Sequence, residues 1–296
     1  MTSISVVIPT KNAGSEFRER LEKIYMQNVS DIEIIIIDSG STDGTVETAE
    51  DFADEIIKTE PDKFHHGKTR NLGAEKSTGE IIVFTVQDAT PVNQEWLSNL
   101  VSPILDGVAD VTYGNQVAYP EAKPPDKFFY KYLYPDNSIK LSEKNTESKS
   151  EFYLDNIFLS DVCSAISRDV WNNFQFRDSV AMSEDKDFAY RVASEGYTIN
   201  YCPDAKVFHS HNYSFRSLFR RRYKDGKAFS KIAEQSPDTF VSKGMAYILN
   251  EYKYLIQNGK IEWIPYTVLY DAIYFLAFTL GEYHTYIPEW ADKRLG

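Results

Sequence analysis

Short, solidly apolar runs separated by helix-like segments dominate the first third of the chain. Residues 4–8, 34–37 and 81–86 are rich in isoleucine and valine, and unbroken apolar runs of this kind are typical of strands that a sheet buries on both faces. The intervening segments with helical apolar spacing are 15–27, 45–53, 69–77 and 94–105. Strands and helices in alternation predict an α/β fold with a mostly parallel sheet sandwiched by helices. Ligands of such sheets bind beyond the carboxyl ends of the strands.

The later part of the chain has a different character. Residues 119–152 are polar, rich in Pro, Lys, Glu and Ser and without periodicity, which predicts a long surface loop. A helix is expected at 184–194, and two short strands at 198–201 and 205–208. Helical patterns prevail from residue 214 onward. We therefore expect two domains, which are residues 1–212 and a helical extension, residues 213–296.

Overall charge argues against nucleic acid as a partner. The 296 residues carry 32 basic and 44 acidic side chains, a net charge of -12, which disfavours polyanions unless basic residues are concentrated locally. The two cysteines, Cys163 and Cys202, lack metal-site spacing and favour a reducing compartment. No secretory signal is visible at the N-terminus, and residues 264–280 are short and polar for a transmembrane helix. We expect a cytoplasmic protein.

Two of the predicted strands are followed directly by acidic loops. Residues 38–44, Asp-Ser-Gly-Ser-Thr-Asp-Gly, precede a predicted helix start, and a nucleotide base, ribose or phosphate fits such a place. The alternative is an ordinary turn with Asp43 as a helix cap. Asp88 follows the strand at 81–86, and an acidic group at the end of a buried strand needs a partner or a ligand, such as a divalent cation on a diphosphate. Its alternative is capping of the next helix.

Acidic residues and histidines recur further along the chain. Residues 183–187 place Glu184, Asp185 and Asp187 at a predicted helix start, where Asp185 could serve as a general base; the alternative is a solvated first turn. His209 and His211 share one face of an extended segment and are candidates for a metal or a phosphate.

The C-terminal extension combines basic and aromatic residues. Residues 216–231 hold seven basic side chains and one acid, a composition suited to lipid headgroups or pyrophosphates, unless it is simply a solvated face. Tyr266, Tyr270, Tyr274 and Phe278 recur every four residues and predict one aromatic helix stripe. That stripe is either a packed helical core or dimer interface, or a belt at the membrane surface.

These motifs together resemble the inverting glycosyltransferases of family 2, which share an A-type, nucleotide-sugar-binding α/β fold. The resemblance rests on the ordered set 6–12 (Val-Val-Ile-Pro-Thr-Lys-Asn), 36–45 (Ile-Ile-Asp-Ser-Gly-Ser-Thr-Asp-Gly-Thr) and 70–73 (Arg-Asn-Leu-Gly). Where the family has Asp-x-Asp, this chain reads Val86-Gln87-Asp88 and keeps the second acid alone. The sequences at 66–71, 184–185, 209–214 and 219–226 resemble the rhamnosyltransferase branch.

The resemblance implies a role for particular residues. Asp185 would be the catalytic base, Asp88 and His209 would hold Mg²⁺ or Mn²⁺, and Glu184 and Arg222 would serve the acceptor or the diphosphate. The implied donor-binding residues are Pro9, Thr10, Asn12, Asp38, Ser39, Lys68, Arg70, Gln87 and Asp88.

The implied reaction is direct displacement of a nucleoside diphosphate by an acceptor hydroxyl. The donor would be a nucleotide sugar, dTDP-rhamnose being favoured, and the acceptor a growing glycan or a polyprenyl-diphosphate-linked glycan. Residues 1–212 would be the catalytic domain, and 213–290 would contact the cytoplasmic face of the membrane or a second copy of the chain. The rival hypotheses are a UDP-hexose-dependent enzyme of the same fold and a catalytically silent member that binds nucleotide or glycan.

Overall fold

The computed structural model divides into two compact units. The first comprises residues 1–117, 134–147 and 157–209, and the second comprises 118–133, 148–156 and 210–296. The residues that the structure describes are 3–142, 152, 159–180, 182–232 and 237–295, with the backbone alone for 231, 232 and 237–243.

The first unit is built on a mixed sheet in which helices alternate with strands. In chain order its strands are β1 (Ile4–Thr10), β2 (Ile32–Asp38), β3 (Glu55–Lys58), β4 (Ile81–Thr85), β5 (Thr90–Pro91), β6 (Val111–Val117), β7 (Lys140–Leu141), β8 (Cys163–Ser167) and β9 (Ile199–Phe208). Its helices are α1 (Phe17–Tyr25), α2 (Thr45–Ala49), α3 (His66–Lys76), α4 (Trp96–Leu105), α6 (Arg168–Asn173) and α7 (Glu184–Ser194), while α5 (Pro124–Leu133) belongs to the second unit.

The strands follow the order β3-β2-β1-β4-β8-β6-β9-β5, with β7 also paired to β9. Strands β3, β2, β1 and β4 run parallel, so that Thr10 lies opposite Asp38 and the carboxyl ends of these strands meet at one edge. Strand β8 is antiparallel to both β4 and β6, whereas β6 and β9 are parallel. The predicted A-type α/β class is confirmed, and its sheet is mixed where β8 is inserted.

Both faces of this sheet are covered, as the unbroken apolar runs predict. Because side chains alternate along a strand, Val6 and Ile8 of β1 pack with α1 and α4 in one buried cluster, while Val7 faces α3. Gly73 of α3 lies so close to Val7 and Ile37 that an added Cβ would come within 2.4 and 2.6 Å of their side chains. The absence of a side chain at Gly73 thus lets α3 pack directly on the strands.

Two sequence-based expectations need correction, and two strands were not predicted. The strands expected at 198–201 and 205–208 are one strand, β9, whose pairing with β6 shifts register between Gly114 and Asn115. The loop expected at 119–152 instead contains α5 and β7, while 143–151 lies outside the described residues. Strands β6 and β8 carry Gly, Asn, Ser and Cys and have no strong apolar periodicity, so sequence reasoning missed them.

The second unit is helical. Besides α5 it contains α8 (Phe215–Ile232), α9 (Pro237–Gln257), α10 (Ile264–Glu282) and α11 (Glu289–Leu295). Helices α8 and α10 cross with their backbones in contact, because a Cβ at Gly281 would lie 2.1 Å from the Tyr223 carbonyl oxygen and one at Gly226 would lie 2.1 Å from that of Phe278. Aromatic rings join α5 to α9, where Phe128 lies 5.2 Å from Tyr247.

The aromatic stripe of α10 is turned into this unit. Tyr266 stacks on Phe215 at 5.2 Å, Tyr270 donates a hydrogen bond to Asp126 at 3.3 Å, and Phe278 packs on Phe229. The stripe therefore has a packing role within one copy of the chain. The exposed face of α10 is aliphatic instead.

Candidate functional site

The loops after β1, β2 and β4 lie together at the carboxyl edge of the sheet and are tied to one another by hydrogen bonds. The Gln87 side chain accepts from the Lys11 N–H at 2.6 Å and donates to the Lys11 carbonyl at 3.2 Å. Asn12 accepts from the Thr42 N–H at 2.9 Å and donates its own N–H to Ser41. The three loops form one connected rim.

Asp38 anchors the second of these loops from within. Its side chain is 2 % exposed, and one carboxylate oxygen accepts from the backbone N–H groups of Gly40 and Ser41 at 3.0 and 2.9 Å. The other oxygen accepts from the Thr10 hydroxyl at 3.3 Å. Ser39 is fully buried, and its N–H donates to the Thr10 carbonyl. These hydrogen bonds of Asp38 and Ser39 thus hold the loop after β2 in place beside β1.

Asp88 and His209 face each other at this edge. His209 Nε2 is 3.8 Å from Asp88 Oδ1, and His209 is 9 % exposed while the Asp88 side chain is 42 % exposed. A divalent cation with bonds of about 2.1 Å to oxygen or nitrogen can span two such atoms. A carboxylate oxygen is a ligand that suits Mg²⁺ or Mn²⁺, and an imidazole nitrogen suits transition-metal ions, so Asp88 and His209 would together hold a divalent cation.

A backbone bond fixes the position of His209. It follows the last residue of β9, and its N–H donates to the Val117 carbonyl at the end of β6 at 2.9 Å. Its ring nitrogen Nδ1 lies 2.9 Å from Gln116 Oε1. His211 comes two residues later and belongs to the second unit.

A second cluster surrounds the guanidinium of Arg70 on α3. Nη1 donates to Glu184 Oε1 at 2.6 Å, and Nε forms an ion pair with Asp161 Oδ2 at 3.4 Å whose geometry is not that of a hydrogen bond. The side chains of Arg70, Asp161 and Glu184 are each 7 % exposed or less. Asp185, beside Glu184 at the start of α7, belongs to the same electrostatic cluster.

The guanidinium of Arg70 thus lies near three carboxyl groups. Burial and these neighbouring charges shift the pKa values of Asp161 and Asp185. Burial is the main cause that raises the pKa of Asp161 to about 8; Arg70 opposes this rise, and Asp185 and Glu184 contribute to it. Burial is also the main cause that raises the pKa of Asp185, followed by Glu184, while Lys186 and Arg70 oppose the rise. A carboxylate with a raised pKa is a stronger base toward a hydroxyl proton than an ordinary one.

Sequence reasoning missed Asp161 and Gln116. Asp161 lies 91 positions from Arg70 in the chain, and neither residue belongs to a polar loop that follows a predicted strand. Strand β8 was itself not predicted, so no sequence signal placed Asp161 beside the Glu184-Asp185 pair.

Comparison with known proteins identifies the family of this chain. The sequence model of glycosyl transferase family 2 matches residues 5–174, more than half of the chain, and that of glycosyl transferase family group 2 matches 152–280. This chain belongs to glycosyl transferase family 2.

Two bacterial relatives match the glycosyltransferase over nearly its whole length. The O-antigen chain rhamnosyltransferase RfbN of Salmonella typhimurium is 30% identical over 96% of this chain and 91% of its own. The O-antigen chain rhamnosyltransferase WbaN of Salmonella anatum is 29% identical over 97% of this chain and 92% of its own.

A solved structure shares the fold of the glycosyltransferase. The mannosyltransferase PcManGT from Pyrobaculum calidifontis, in complex with GDP-Man and Mn²⁺, superposes with a TM-score of 0.62 and is 19% identical, covering 95% of this chain and 87% of that one.

The remaining predicted residues of the glycosyltransferase have ordinary surroundings. Lys68 is half exposed and pairs with Asp178 at 3.2 Å, and Pro9 lies within β1 opposite Ile37. Val86, which stands at the first acid of the family pattern, packs against the apolar core of the first unit. The contact with the core therefore makes an apolar side chain favourable at position 86.

Arg222 belongs to the second unit and is held among aromatic rings. Its guanidinium lies 4.4 Å from the ring centroid of Tyr274 and 5.6 Å from that of Phe129, and Nη1 donates to Asp225 at 2.9 Å. Its Nε is buried without a hydrogen-bond partner among the described residues. Cation–π contacts of this kind orient a guanidinium and stabilise its charge.

Proposed function

We propose that this glycosyltransferase transfers rhamnose from dTDP-rhamnose to a growing surface polysaccharide or its lipid-linked precursor, with inversion at the anomeric carbon. The similarity to RfbN and WbaN over nearly the whole chain carries the proposal. In this scheme 1–212 act as the catalytic domain and 213–296 as the acceptor side. The site geometry supports the assignment through a carboxylate base, a cation site and a loop rim in the first unit.

Asp185 acts as the catalytic base in this proposal. It accepts the proton of the acceptor hydroxyl while that oxygen forms a bond to the anomeric carbon and the bond to the nucleoside diphosphate breaks. Asp185 Oδ1 accepts from the Lys186 N–H at 2.8 Å, which fixes the carboxylate orientation. Glu184 holds Arg70, and this pair keeps the first turn of α7 in place.

The diphosphate end of the donor is assigned to the sheet edge. Asp88 and His209 would hold Mg²⁺ or Mn²⁺, which neutralises the charge of the leaving diphosphate; the Mn²⁺ and GDP-Man bound by the mannosyltransferase of similar fold support this choice. The residues that would bind the nucleotide and the sugar are Pro9, Thr10, Asn12, Asp38, Ser39 and Gln87 at the sheet edge, together with Lys68 and Arg70 of α3. Arg222 serves the acceptor or the diphosphate.

The structure changes which surface we assign to the membrane. The aliphatic residues exposed on α9 and α10 are Met245, Leu249, Ile256, Val268, Leu269 and Leu276. The two helices are antiparallel, since Gly244 meets Phe275 and Glu251 meets Asp271. Successive residues of a helix are rotated by about 100° around its axis. The exposed aliphatic residues of α9 and those of α10 therefore lie on the same side of this helix pair. We assign this aliphatic face to the cytoplasmic surface of the membrane.

A product assay tests the proposed reaction. Purified wild-type protein is given dTDP-rhamnose or a UDP-hexose, with Mg²⁺ or Mn²⁺ and a polyprenyl-diphosphate-linked glycan. We expect product from dTDP-rhamnose. Product from a UDP-hexose alone would favour the rival donor, and nucleotide binding without turnover of any donor would favour a silent member.

Asp185→Asn tests the base within the same assay. The amide cannot accept the hydroxyl proton, so we expect a loss of turnover of at least about 100-fold, with donor affinity by calorimetry unchanged. Asp187→Asn is the matched control, because Asp187 lies in the same helical turn and pairs with Arg191 at 2.8 Å. Near wild-type turnover by the Asp185 variant would remove this residue from the role of base.

A further inference from the structure

Gln116 lies behind the candidate metal ligand His209 and touches it at the nitrogen opposite Asp88. Gln116 is 4 % exposed at the carboxyl end of β6, one residue before the carbonyl that binds the His209 N–H. Its Oε1 lies 2.9 Å from His209 Nδ1. The two side chains therefore meet through one buried hydrogen bond.

The orientation of the Gln116 amide decides which nitrogen of His209 carries the proton. Gln116 Nε2 donates to the Ser160 hydroxyl at 2.8 Å and to the Tyr134 hydroxyl. With the amide nitrogen directed at these two hydroxyls, Oε1 faces the imidazole as an acceptor. Nδ1 must then be the N–H donor, and in neutral His209 the lone pair is on Nε2.

The distance to Asp88 agrees with this tautomer. A proton on Nε2 would favour an N–H···O bond of about 2.7–3.2 Å to the carboxylate, whereas Nε2 and Asp88 Oδ1 are 3.8 Å apart. That separation suits two atoms that bind one cation from different sides. A ligating histidine whose other nitrogen donates to a fixed acceptor is held in the metal-binding tautomer.

We propose that Gln116 is a positioning residue for the metal site, which holds His209 with its proton on Nδ1 and its lone pair directed to a divalent cation shared with Asp88. Tyr134 and Ser160 support this role because their hydroxyl groups bond to the Gln116 amide and hold the side chain in place. The inference rests on the proposed metal site at Asp88 and His209. In this proposal Gln116 orients the His209 ring and does not contact the substrate.

The test measures Mn²⁺ binding and the tautomer, not turnover. Titration of the full-length protein with Mn²⁺ at a fixed dTDP concentration, followed by electron paramagnetic resonance, gives the Mn²⁺ affinity. Gln116→Ala removes the acceptor, and we expect about 10- to 100-fold weaker Mn²⁺ binding. Gln116→Glu keeps an acceptor for Nδ1–H, and we expect it to restore an affinity within a few fold of wild type.

Nitrogen-15 spectroscopy of the metal-free protein reads the tautomer directly, with His209→Gln to assign the ring signals. We expect the Nδ1–H form in wild type and in Gln116→Glu, and a mixture in Gln116→Ala. Asn115→Ala is the matched control, since its amide bonds to the Pro203 carbonyl instead and should leave both readouts unchanged.

The outcomes separate the inference from the metal site itself. If wild type binds Mn²⁺ and Gln116→Ala binds it equally well, Gln116 has no positioning role. An Nε2–H tautomer in wild type would reverse the amide orientation and overturn the inference. If wild type and Asp88→Ala both fail to bind Mn²⁺ in the presence of dTDP, the proposed metal site is wrong and the inference falls with it.

Discussion

Arg70 provides the positive charge that three carboxyl groups face inside the first unit. A buried ion pair costs desolvation energy, but removal of one partner costs more because it leaves uncompensated buried charge. If the guanidinium is removed, Asp161 and Glu184 stay buried without the positive charge that they contact. Arg70 is therefore a stability determinant as well as a proposed donor-binding residue.

We predict that Arg70→Ala lowers the free energy of unfolding by about 3–5 kcal/mol, since the buried Glu184 side chain loses the counter-charge that it contacts at 2.6 Å. Chemical denaturation followed by circular dichroism measures this change. Lys68→Ala is the control on the same helix, because the Lys68 and Asp178 side chains are 53 % and 67 % exposed and such pairs contribute about 0–1 kcal/mol. Equal losses for both variants would contradict the prediction.

The residues that sequence reasoning found and missed differ in how far their partners lie along the chain. Asp88 and Asp185 directly follow or begin a predicted element, so their local sequence places them at the site edge. Asp161 and Gln116 act through partners 91 and 93 positions away in the chain. Local patterns carry no information on such contacts, which exist only once β8 has paired with β4 and β6 has paired with β9.

Two glycines determine how closely α8 and α10 approach. The crossing puts backbone atoms of one helix where a Cβ on Gly226 or Gly281 would have to lie, at 2.1 Å from a carbonyl oxygen. Backbone atoms cannot move aside as a flexible side chain can. The helices would have to separate to accommodate even a methyl group.

Gly281→Ala should therefore destabilise the second unit despite the higher helix propensity of alanine. We expect a loss of about 1–3 kcal/mol, the usual range for overpacking, seen as a lower Tm in calorimetry. Thr279→Ala, on the exposed face of the same helix, serves as the control and should change Tm little. An unchanged or raised Tm for the glycine variant would show that the helices can separate without cost.

Glu251 on α9 and Asp271 on α10 form a buried pair of acids. Glu251 is fully buried, and the acid beside it is Asp271. Burial, followed by Asp271, raises the pKa of Glu251 to about 9, and burial raises that of Asp271 to about 6. At neutral pH Glu251 is therefore protonated in the folded protein.

This proton links stability to pH. The folded-state pKa of Glu251 is above the ordinary value of 4.5, so its stabilising proton is present at low pH and is lost as pH rises toward 9. Glu251→Gln stays neutral throughout. We predict that wild type loses stability relative to this variant between pH 5 and 9, by up to about 1.4 kcal/mol per pH unit.

Tm measured across that range checks the pH prediction. Glu262→Gln, at an exposed position, is the control and should give a curve parallel to wild type. Parallel curves for Glu251→Gln and wild type would mean that Glu251 is ionised in the folded state.

Helix α5 shows why the sequence was misread between residues 119 and 152. It begins at Pro124 and Pro125, and prolines are compatible with the first turn of a helix, where the N–H groups have no intrahelical partner. Because prolines and polar residues are typical of loops, this stretch was predicted to be a loop and the helix was missed. Its apolar side, with Phe128 against Tyr247, becomes evident only when α9 is in place.

Charge and apolarity are separated across the second unit. The basic residues exposed on α8 are Arg216, Arg220, Arg221 and Lys224, while Gly226, which meets α10, lies on the other side of that helix. The aliphatic stripe of α10 likewise points away from Gly281. The basic surface and the aliphatic surface of this unit therefore face roughly opposite directions.

The described residues include one segment, Ile261–Glu282, whose length and mean hydropathy of 1.3 would allow it to cross a membrane. One side of this segment is nevertheless occupied by α8, where Gly281 meets Tyr223, and Asp271 is buried beside Glu251 of α9. These contacts favour a helix that lies on the membrane with its aliphatic side. The exposed aromatic residues Tyr286 and Trp290 suit the interfacial region.

We predict that membrane binding depends on the aliphatic face and persists at high salt. Wild type should co-sediment with vesicles of phosphatidylcholine and phosphatidylglycerol at both low and high salt, because apolar insertion is not screened. Leu249→Glu combined with Leu276→Glu should abolish binding. Arg216→Gln combined with Arg220→Gln is the control and should retain it.

Other results would change this interpretation. Binding that high salt and the arginine variant abolish would assign the membrane to the basic face of α8. If no vesicles bind and ultracentrifugation shows a dimer that the double leucine variant dissociates, the aliphatic face is an interface between two copies.

The second unit is assembled from separate stretches of chain, and this limits how enzymes of this type can be recombined. Because α5 is encoded between β6 and β7 yet packs on α9 through Phe128, the tail from residue 210 onward is not a self-sufficient cassette. A chimera that exchanges only the tail would bring a foreign α9 against the resident α5. An exchange of this helical unit should therefore replace 118–133 together with the tail, as two coordinated replacements in one gene.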